Sequence, residues 1–220
     1  MSEPIWLNPL VSVDLALFSI HNDRLNVLVV QRQEGPHAAQ WALPGGILRP
    51  DLDDCLLSTV RRVMQEKIKV HLPEIQEVRT FSGTKRDPRG WSLSVLHRAL
   101  LPMDQVSALA GRDVGAVQWQ AVEDGQQGLA FDHDDMLSRA LEQLRADIRD
   151  RNRLPLHMLP PKFTISQLQA VCEAILNQRL DKSAFRRRLT QYNEADMEMI
   201  DGAFVKGAQR PAQLWKMRSH

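Results

Sequence analysis

Residues 45–70 of this chain read GGILRPDLDDCLLSTVRRVMQEKIKV. The two leading glycines are a strong turn signal. Asp53 or Asp54 can cap a helix that is predicted to run to about Lys69. The apolar residues of this helix recur at helical spacing and are Leu56, Val60, Val63 and Met64. The stretch therefore has the outline of a metal-binding catalytic helix behind a glycine turn.

This stretch, with Leu43-Pro44 directly ahead of it, resembles the Nudix box, in which helical glutamates hold Mg²⁺ against a diphosphate. Carboxylates at positions i, i+3 and i+4 share one face of a helix and can bind one hard cation together. Such a cation neutralises phosphate charge and helps to generate the attacking hydroxide. Laid over this sequence residue by residue, the family motif falls on Asp54, Arg62, Val63, Glu66 and Lys67.

Most of the acids that the motif requires are missing here. Arg62 and Glu66 match it, and the helical spacing predicts that they pair with each other. Val63 and Lys67 stand where the motif has glutamates, and two extra residues separate Asp54 from the second glycine. An ammonium group in place of a carboxylate repels a cation. The sequence predicts no metal site and no catalytic residue, with a divergent Nudix hydrolase as the alternative.

Outward from the box, apolar and β-branched runs predict a sheet. The predicted strands are residues 11–20, 25–31, 75–82, 91–101 and 114–121. A second helix is predicted to begin near Asp132. Strands combined with two helices indicate an α+β fold over residues 8–150. The resemblance implies that this domain is a Nudix-like α/β/α sandwich that senses a ligand.

Residues 84–91, TKRDPRGW, resemble the R-D-x-R-G loop of Nudix proteins that recognise ADP-ribose. Arg86 and Arg89 can each bind phosphate oxygens, and Asp87 can orient an arginine or accept from a ribose hydroxyl. The other predicted pocket residues are Arg32, Trp41, Gly45, Gly46, Trp91, Phe131 and His133. The alternatives are a solvated charged turn at the loop and core positions for Trp41 and Phe131.

The C-terminal third has a different organisation. Residues 151–162 hold three prolines, which predicts a linker that is not helical throughout. Thr164 and Gln167 fit a capping box at the start of one helix, and Asp181 can cap the next. Two short strands are predicted behind these helices. Helix, turn, helix and hairpin indicate a small winged helix-turn-helix domain over residues 163–220.

The second helix of this domain has a cationic surface. Residues 151–220 carry 12 Lys and Arg against 6 Asp and Glu, although the whole chain has a net charge of +1. Phe185 and Leu189 are predicted to anchor the helix, which leaves the basic side chains for phosphates and base edges of DNA. The predicted DNA-binding residues are Lys182, Ser183, Arg186, Arg187, Arg188, Lys206 and Arg210, with Arg188 and Arg210 assigned to phosphates. A solvated basic helix is the alternative.

Three segments of the tail, 159–171 (LPPKFTISQLQAV), 180–189 (LDKSAFRRRL) and 210–215 (RPAQLW), resemble the NrtR family of Nudix-related regulators of NAD metabolism. The resemblance covers nearly the full chain, and the wing departs from the usual family sequence at Ala208-Gln209. It implies a homodimer that binds a palindromic operator on double-stranded DNA and represses genes of NAD biosynthesis or salvage. ADP-ribose or a related nucleotide is implied as the effector, with no cofactor required. A winged helix that binds protein is a further alternative.

The cysteine content and the hydropathy of the chain predict a cytoplasmic location. Cys55 and Cys172 are the only cysteines and are too few for a disulfide framework. The N-terminus shows no signal-peptide pattern. No window approaches the roughly 18 apolar residues that span a bilayer, so no membrane partner is expected.

Overall fold

A central seven-stranded sheet forms the N-terminal part of the molecule. The computed structural model describes residues 8–72, 74–102, 114–122, 128–150, 153–192, 196–205 and 211–218. The strands of the central sheet are β1 (Leu10–His21), β2 (Arg24–Arg32), β3 (Trp41–Ala42), β4 (Gly45–Ile47), β5 (Gln76–Gly83), β6 (Ser92–Leu100) and β7 (Val114–Ala121). Strand order is β3-β2-β1-β6-β5, with β4 on β1 and β7 on β2.

Strand β1 organises the sheet because it pairs with three neighbours. It is antiparallel to β2 and β4 and parallel to β6, where Val13 lies opposite Val95. The β1–β2 turn has positive φ angles of 48° at Asn22 and 57° at Asp23. Asn and Asp tolerate this region, which suits a tight hairpin turn. The first two predicted strands are therefore joined as a hairpin through residues 21–24.

One helix covers each face of the sheet. Helix α1 (Leu56–Ile68) packs with Val13, Leu15 and Leu17 of β1 in one buried cluster. Helix α2 (His133–Arg149) packs with Ala16 and Phe18 in another. Successive side chains of a strand point to opposite faces, so β1 supplies both cores in alternation. The predicted α/β/α sandwich is confirmed.

The C-terminal part is a winged helix-turn-helix, as predicted. Its elements are strand β8 (Phe163–Thr164), helices α3 (Ile165–Leu176) and α4 (Lys182–Tyr192), and strands β9 (Met197–Val205) and β10 (Ala212–Met217). The three strands pair in the order β8-β10-β9. Thr164 and Gln167 form the predicted capping box of α3. The Ala184 amide donates to Asp181 Oδ1 at 2.7 Å, which confirms the predicted cap of α4.

The described part of the predicted linker is packed rather than free. A short 3-10 helix, Leu156–Met158, places its two end residues in the same buried cluster as Leu144 of α2 and Leu168 of α3. The prolines prevent a continuous α-helix, but they leave the apolar residues between them free to pack. One hydrophobic core therefore runs from the sandwich into the winged helix.

The structure differs from the sequence predictions at two points near the box. Strands β3 and β4 were not predicted, because segments of two and three residues carry no measurable alternation. The N-cap of α1 is Cys55, whose amide donates to Ser58 Oγ at 3.0 Å, and not Asp53 or Asp54. Within the described residues, no helix combines the length and the apolar character that a bilayer crossing requires.

Candidate functional site

Arg62 of α1 forms ion pairs with both Asp53 and Glu66. Its guanidinium forms a two-pronged pair with Asp53, with Nε–Oδ1 and Nη2–Oδ2 distances of 2.7 Å each. Nη1 also donates to Glu66 Oε2 at 3.2 Å, which confirms the predicted pair. Hydrogen bonding to Arg62 holds the pKa of the Asp53 carboxyl far below its usual value. Asp54, the predicted remnant of the motif, is exposed beside this pair.

The residues of the degenerate box do not fit a divalent cation. Asp53 and Glu66 both neutralise Arg62, and Val63 is buried against the sheet. The described residues contain no group of three or more His, Cys, Asp or Glu placed to hold a metal ion. A divalent cation needs several oxygen ligands that are not already engaged. Here the carboxylates of Asp53 and Glu66 are paired with Arg62, and Val63 supplies no oxygen ligand.

A buried polar network of His133, Asp14 and Ser94 lies at the start of α2, close to the glycine turn. The Leu43 amide donates to His133 Nδ1 at 2.9 Å, so the ring proton is on Nε2, which lies 3.6 Å from Asp14 Oδ1. Ser94 Oγ donates to Asp14 Oδ2 at 2.5 Å. Burial lowers the pKa of His133 and favours the neutral ring. Asp14 and Ser94 were not predicted from the sequence.

The two glycines of the box allow close packing around this polar network. A Cβ on Gly45 would lie 1.9 Å from Asp14 Oδ1, and one on Gly46 would lie 2.6 Å from Val63 Cγ2. Both glycines belong to β4, which pairs with β1. The absence of a Cβ at both positions is what allows these close contacts, and ligand contact at either glycine stays a prediction.

Arg32, His37 and Phe131 form a stack at the end of β2. The Arg32 guanidinium carbon lies 4.7 Å from the Phe131 ring centroid, and the His37 ring meets the same ring edge-on at 4.6 Å. Phe131 has a φ of 58°, which is unusual for a residue with a bulky side chain. Burial, together with the charge of Arg89, lowers the pKa of Arg32, which is one of the predicted pocket residues.

The R-D-x-R-G loop is tied down by two ion pairs. Arg86 donates from Nε and Nη2 to the two oxygens of Asp132, at 3.0 and 2.9 Å. Arg89 donates from Nε and Nη2 to the two oxygens of Asp87, at 3.0 and 2.7 Å. Asp87 therefore orients Arg89 in this loop, and a ribose contact at Asp87 stays a prediction. Arg89 keeps 43% of its side chain exposed, against 10% for Arg86, so Arg89 is the more accessible to an anion.

The two predicted pocket tryptophans lie in different surroundings. Trp41 is half-buried in β3, where it pairs with Gln31, and its carbonyl accepts from the Ala130 amide at 2.8 Å. Trp91 is 43% exposed just before β6. Trp41 lies next to the turn that carries Phe131, whereas Trp91 follows the arginine loop. Both remain predictions as ligand contacts.

Helix α4 separates its apolar and basic residues cleanly. Phe185 and Leu189 are 6% and 4% exposed. The outward side chains are exposed and comprise Lys182, Ser183, Arg186 and Arg187. Apolar anchoring on one side with cationic side chains on the other suits insertion into a DNA groove. The predicted residues Lys206 and Arg210 lie outside the described residues.

Arg188 differs from the other two arginines of the run. Its Nη2 donates to the carbonyl oxygens of Ile148 and Arg149 at the end of α2, the latter at 2.9 Å. Successive helix residues point about 100° apart, so three adjacent arginines cannot share one direction. In this structure the Arg188 guanidinium is directed to the sandwich, and its contact with a DNA phosphate stays a prediction.

Both parts of the chain match family models, and similar proteins have been solved. Residues 155–217 match the NrtR DNA-binding winged helix domain, and residues 11–140 match the NUDIX domain. The "ADPR responsive transcriptional repressor NtrR" of Acinetobacter baylyi is 36% identical over 210 residues, which are 95% of this chain and 82% of that protein. The crystal structure of Shewanella oneidensis NrtR complexed with a 27mer DNA has a TM-score of 0.81 at 34% identity, covering 94% of this chain and 93% of that one. The NUDIX domain of the same NrtR, complexed with ADP ribose, has a TM-score of 0.59 at 37% identity, covering 63% and 90%.

Proposed function

The chain belongs to the NrtR family of Nudix-related transcriptional regulators, and on that premise we propose that it is an ADP-ribose-responsive repressor of NAD biosynthesis or salvage genes. It acts in the cytoplasm as a homodimer, and its two winged helices bind the two halves of a palindromic operator. Two recognition helices of a dimer match half-sites that lie one helical turn of DNA apart, or a multiple of that. ADP-ribose or a related nucleotide binds the sandwich and changes the affinity for DNA.

The outward face of α4 is the observation that carries the DNA-binding part. Lys182, Arg186 and Arg187 are exposed on a helix whose other side is buried, so their charges are available to a polyanion. The similar NrtR of Shewanella oneidensis was crystallised with DNA. This overall similarity and the exposed basic face of α4 support the same use in this chain.

The effector site is proposed at the end of β2 and the R-D-x-R-G loop. The charge of Arg89 contributes to the lowered pKa of Arg32, and Arg89 is partly exposed. Two guanidinium groups can bind the oxygens of a diphosphate. The Phe131 ring offers an apolar surface beside them. ADP-ribose in the similar NUDIX domain supports this choice of ligand.

We infer that the sandwich does not hydrolyse its ligand by the metal-dependent Nudix route. Asp53 and Glu66 are paired with Arg62, and Val63 and Lys67 replace two of the glutamates. The alternative function is ADP-ribose pyrophosphatase. Incubation with ADP-ribose and Mg²⁺ or Mn²⁺ separates the two, since AMP release at roughly 1 per second or faster would establish an enzyme.

Selection of DNA from a random duplex pool, with and without ADP-ribose, tests the function directly. We expect the full-length protein to enrich a palindrome and the enrichment to change when ADP-ribose is present. Recovery of no sequence from the pool would contradict the repressor assignment. Complex formation that is insensitive to salt would instead favour a winged helix that binds protein.

Arg186→Ala tests the recognition helix. We expect weaker operator binding, with a salt dependence whose slope falls by about 1 if the lost contact is to a phosphate. Arg139→Ala is the matched control, because Arg139 is an exposed arginine on α2 of the sandwich. Fluorescence anisotropy with a labelled operator measures both, and circular dichroism checks folding. Equal affinities for Arg186→Ala and the control would remove Arg186 from the interface.

A further inference from the structure

Helix α2 contacts the proposed effector site at its start and the recognition helix at its end. It has 17 residues, so it spans about 25 Å. At its start, Asp132 is held by Arg86 of the R-D-x-R-G loop, and His133 belongs to the buried polar network with Asp14. At its end, the carbonyl groups of Ile148 and Arg149 accept from Arg188 of α4.

Two arginines connect the end of α2 to the helix-turn-helix through hydrogen bonds to backbone carbonyl groups. Arg188 of α4 donates to the last carbonyl groups of α2, and Arg145 Nε of α2 donates to the carbonyl oxygen of Ile175 at the end of α3, at 2.9 Å. The last carbonyl groups of a helix have no partner within it, and a cation is favourable there because of the helix dipole. These two arginines therefore fix the direction of α3 and α4 relative to α2.

We propose that Arg188 is a positioning residue that couples the effector site to the recognition helix through α2, a role that rests on the function proposed above. Phosphate oxygens and a carboxylate fit the same face of a guanidinium, so a bound diphosphate competes with Asp132 for Arg86. Loss of this pair shifts the start of α2. The packed helix carries the shift to the carbonyl groups that Arg188 holds, and α4 changes its direction toward DNA.

The coupling is measured as a ratio of dissociation constants for the selected operator, with and without saturating ADP-ribose. Coupling between two sites commonly changes affinity by about 5- to 150-fold. In Arg188→Met, we expect this ratio to fall to within about twofold of unity, while ADP-ribose still binds the DNA-free protein by calorimetry. In Arg188→Lys, we expect an intermediate ratio, because an ammonium group can still reach a carbonyl oxygen.

Arg187→Met is the matched control, since Arg187 is the neighbouring arginine on the exposed side of α4. It should weaken DNA binding by the same factor with and without ADP-ribose, which leaves the ratio at the wild-type value. A merely structural role of Arg188 predicts lower stability with an unchanged ratio. A wild-type ratio in Arg188→Met would therefore overturn the coupling role. A ratio of one in the wild-type protein would instead overturn the proposed function.

Hydrogen exchange of the wild-type protein keeps the test independent of how well the variants fold. We expect ADP-ribose to change the protection of amides at both ends of α2 and in the last turn of α4. Unchanged exchange at the end of α2 and in α4, with ADP-ribose bound, would contradict the coupling role.

Discussion

Arg62 and Asp53 form an ion pair that fixes the loop ahead of α1 to the helix. The Asp53 side chain is 1% exposed and that of Arg62 is 18% exposed, so little solvent screens the pair. Asp53 also accepts from the Arg49 amide at 2.9 Å, which closes the loop before α1. The arginine that the Nudix motif places among metal-binding glutamates thus serves here as the centre of a structural cluster.

We predict that Asp53→Asn lowers the free energy of unfolding at pH 7 by about 1.5–3 kcal/mol, the usual range for hydrogen bonds to a charged group. The pKa of Asp53 is lowered in the folded protein, so its contribution is present above its ordinary value of 3.8 and is lost as the pH falls toward the folded-state pKa. The difference between variant and wild type should therefore shrink below about pH 4.

Urea unfolding at neutral and at acidic pH measures this difference. Asp54→Asn is the matched control, because Asp54 is the exposed neighbour, and it should change stability by less than about 0.5 kcal/mol. A constant difference between Asp53→Asn and wild type across the whole pH range would contradict the role of the charge.

Some of these side-chain roles could be predicted from sequence and others could not. The Arg62–Glu66 pair follows from helical spacing alone. Asp14 offered a detectable signal, since it is the one acidic residue of β1, but its partners Ser94 and His133 come from distant segments. Arg188 could have been separated from Arg186 by helical angle, because position 188 lies three residues after buried Phe185.

At the scale of elements, α1 and β4 approach each other closely at one glycine. The Cγ2 atom of Val63 occupies the space where a Cβ on Gly46 would lie. The family motif has a glutamate at the position of Val63. The residue that replaces this carboxylate therefore also packs the helix against the sheet. The glycine turn predicted from sequence is in fact a paired strand, which tertiary contacts with β1 create.

We predict that Gly46→Ala lowers the free energy of unfolding by about 1–3 kcal/mol, the usual cost of overpacking. In the double variant Gly46→Ala/Val63→Ala, the smaller side chain makes room for the new methyl group. The loss in the double variant should therefore be smaller than the sum of the two single losses, by about 0.5 kcal/mol or more. Strict additivity in chemical denaturation would show that Val63 is not what the new methyl group meets.

At the scale of the whole molecule, one core joins the sandwich to the winged helix. Leu156 is buried between them, in the cluster that contains Leu144 and Leu168. The order of the Nudix-like sandwich and the winged helix could be predicted from the sequence, because caps, prolines and periodicity act locally. The sequence could not show that Leu156, Met158 and Leu159 are buried, because their burial depends on surfaces that the sandwich and the winged helix supply together.

We predict that Leu156→Ala destabilises both parts of the chain together, by about 2–5 kcal/mol. A shared core makes unfolding a single cooperative transition, so circular dichroism and tryptophan fluorescence should give the same midpoint in wild type and variant. Leu52→Ala is a suitable control, because Leu52 is 54% exposed in the loop before α1. Two separate transitions in the wild-type protein would show that the domains unfold independently.

The buried imidazole at the start of α2 has a consequence for the conditions under which a regulator works. Because the Leu43 amide occupies Nδ1 of His133 and burial lowers its pKa, the ring stays uncharged through the mildly alkaline and neutral range. Calorimetry between about pH 7 and 8 should therefore give a constant ADP-ribose affinity, and a marked drift would contradict a neutral ring. Below the ordinary histidine pKa of 6.5, the unfolded chain takes up a proton more readily than the folded one, so acid weakens the fold. The His133 imidazole itself therefore adds no charge change to the start of α2 between about pH 7 and 8.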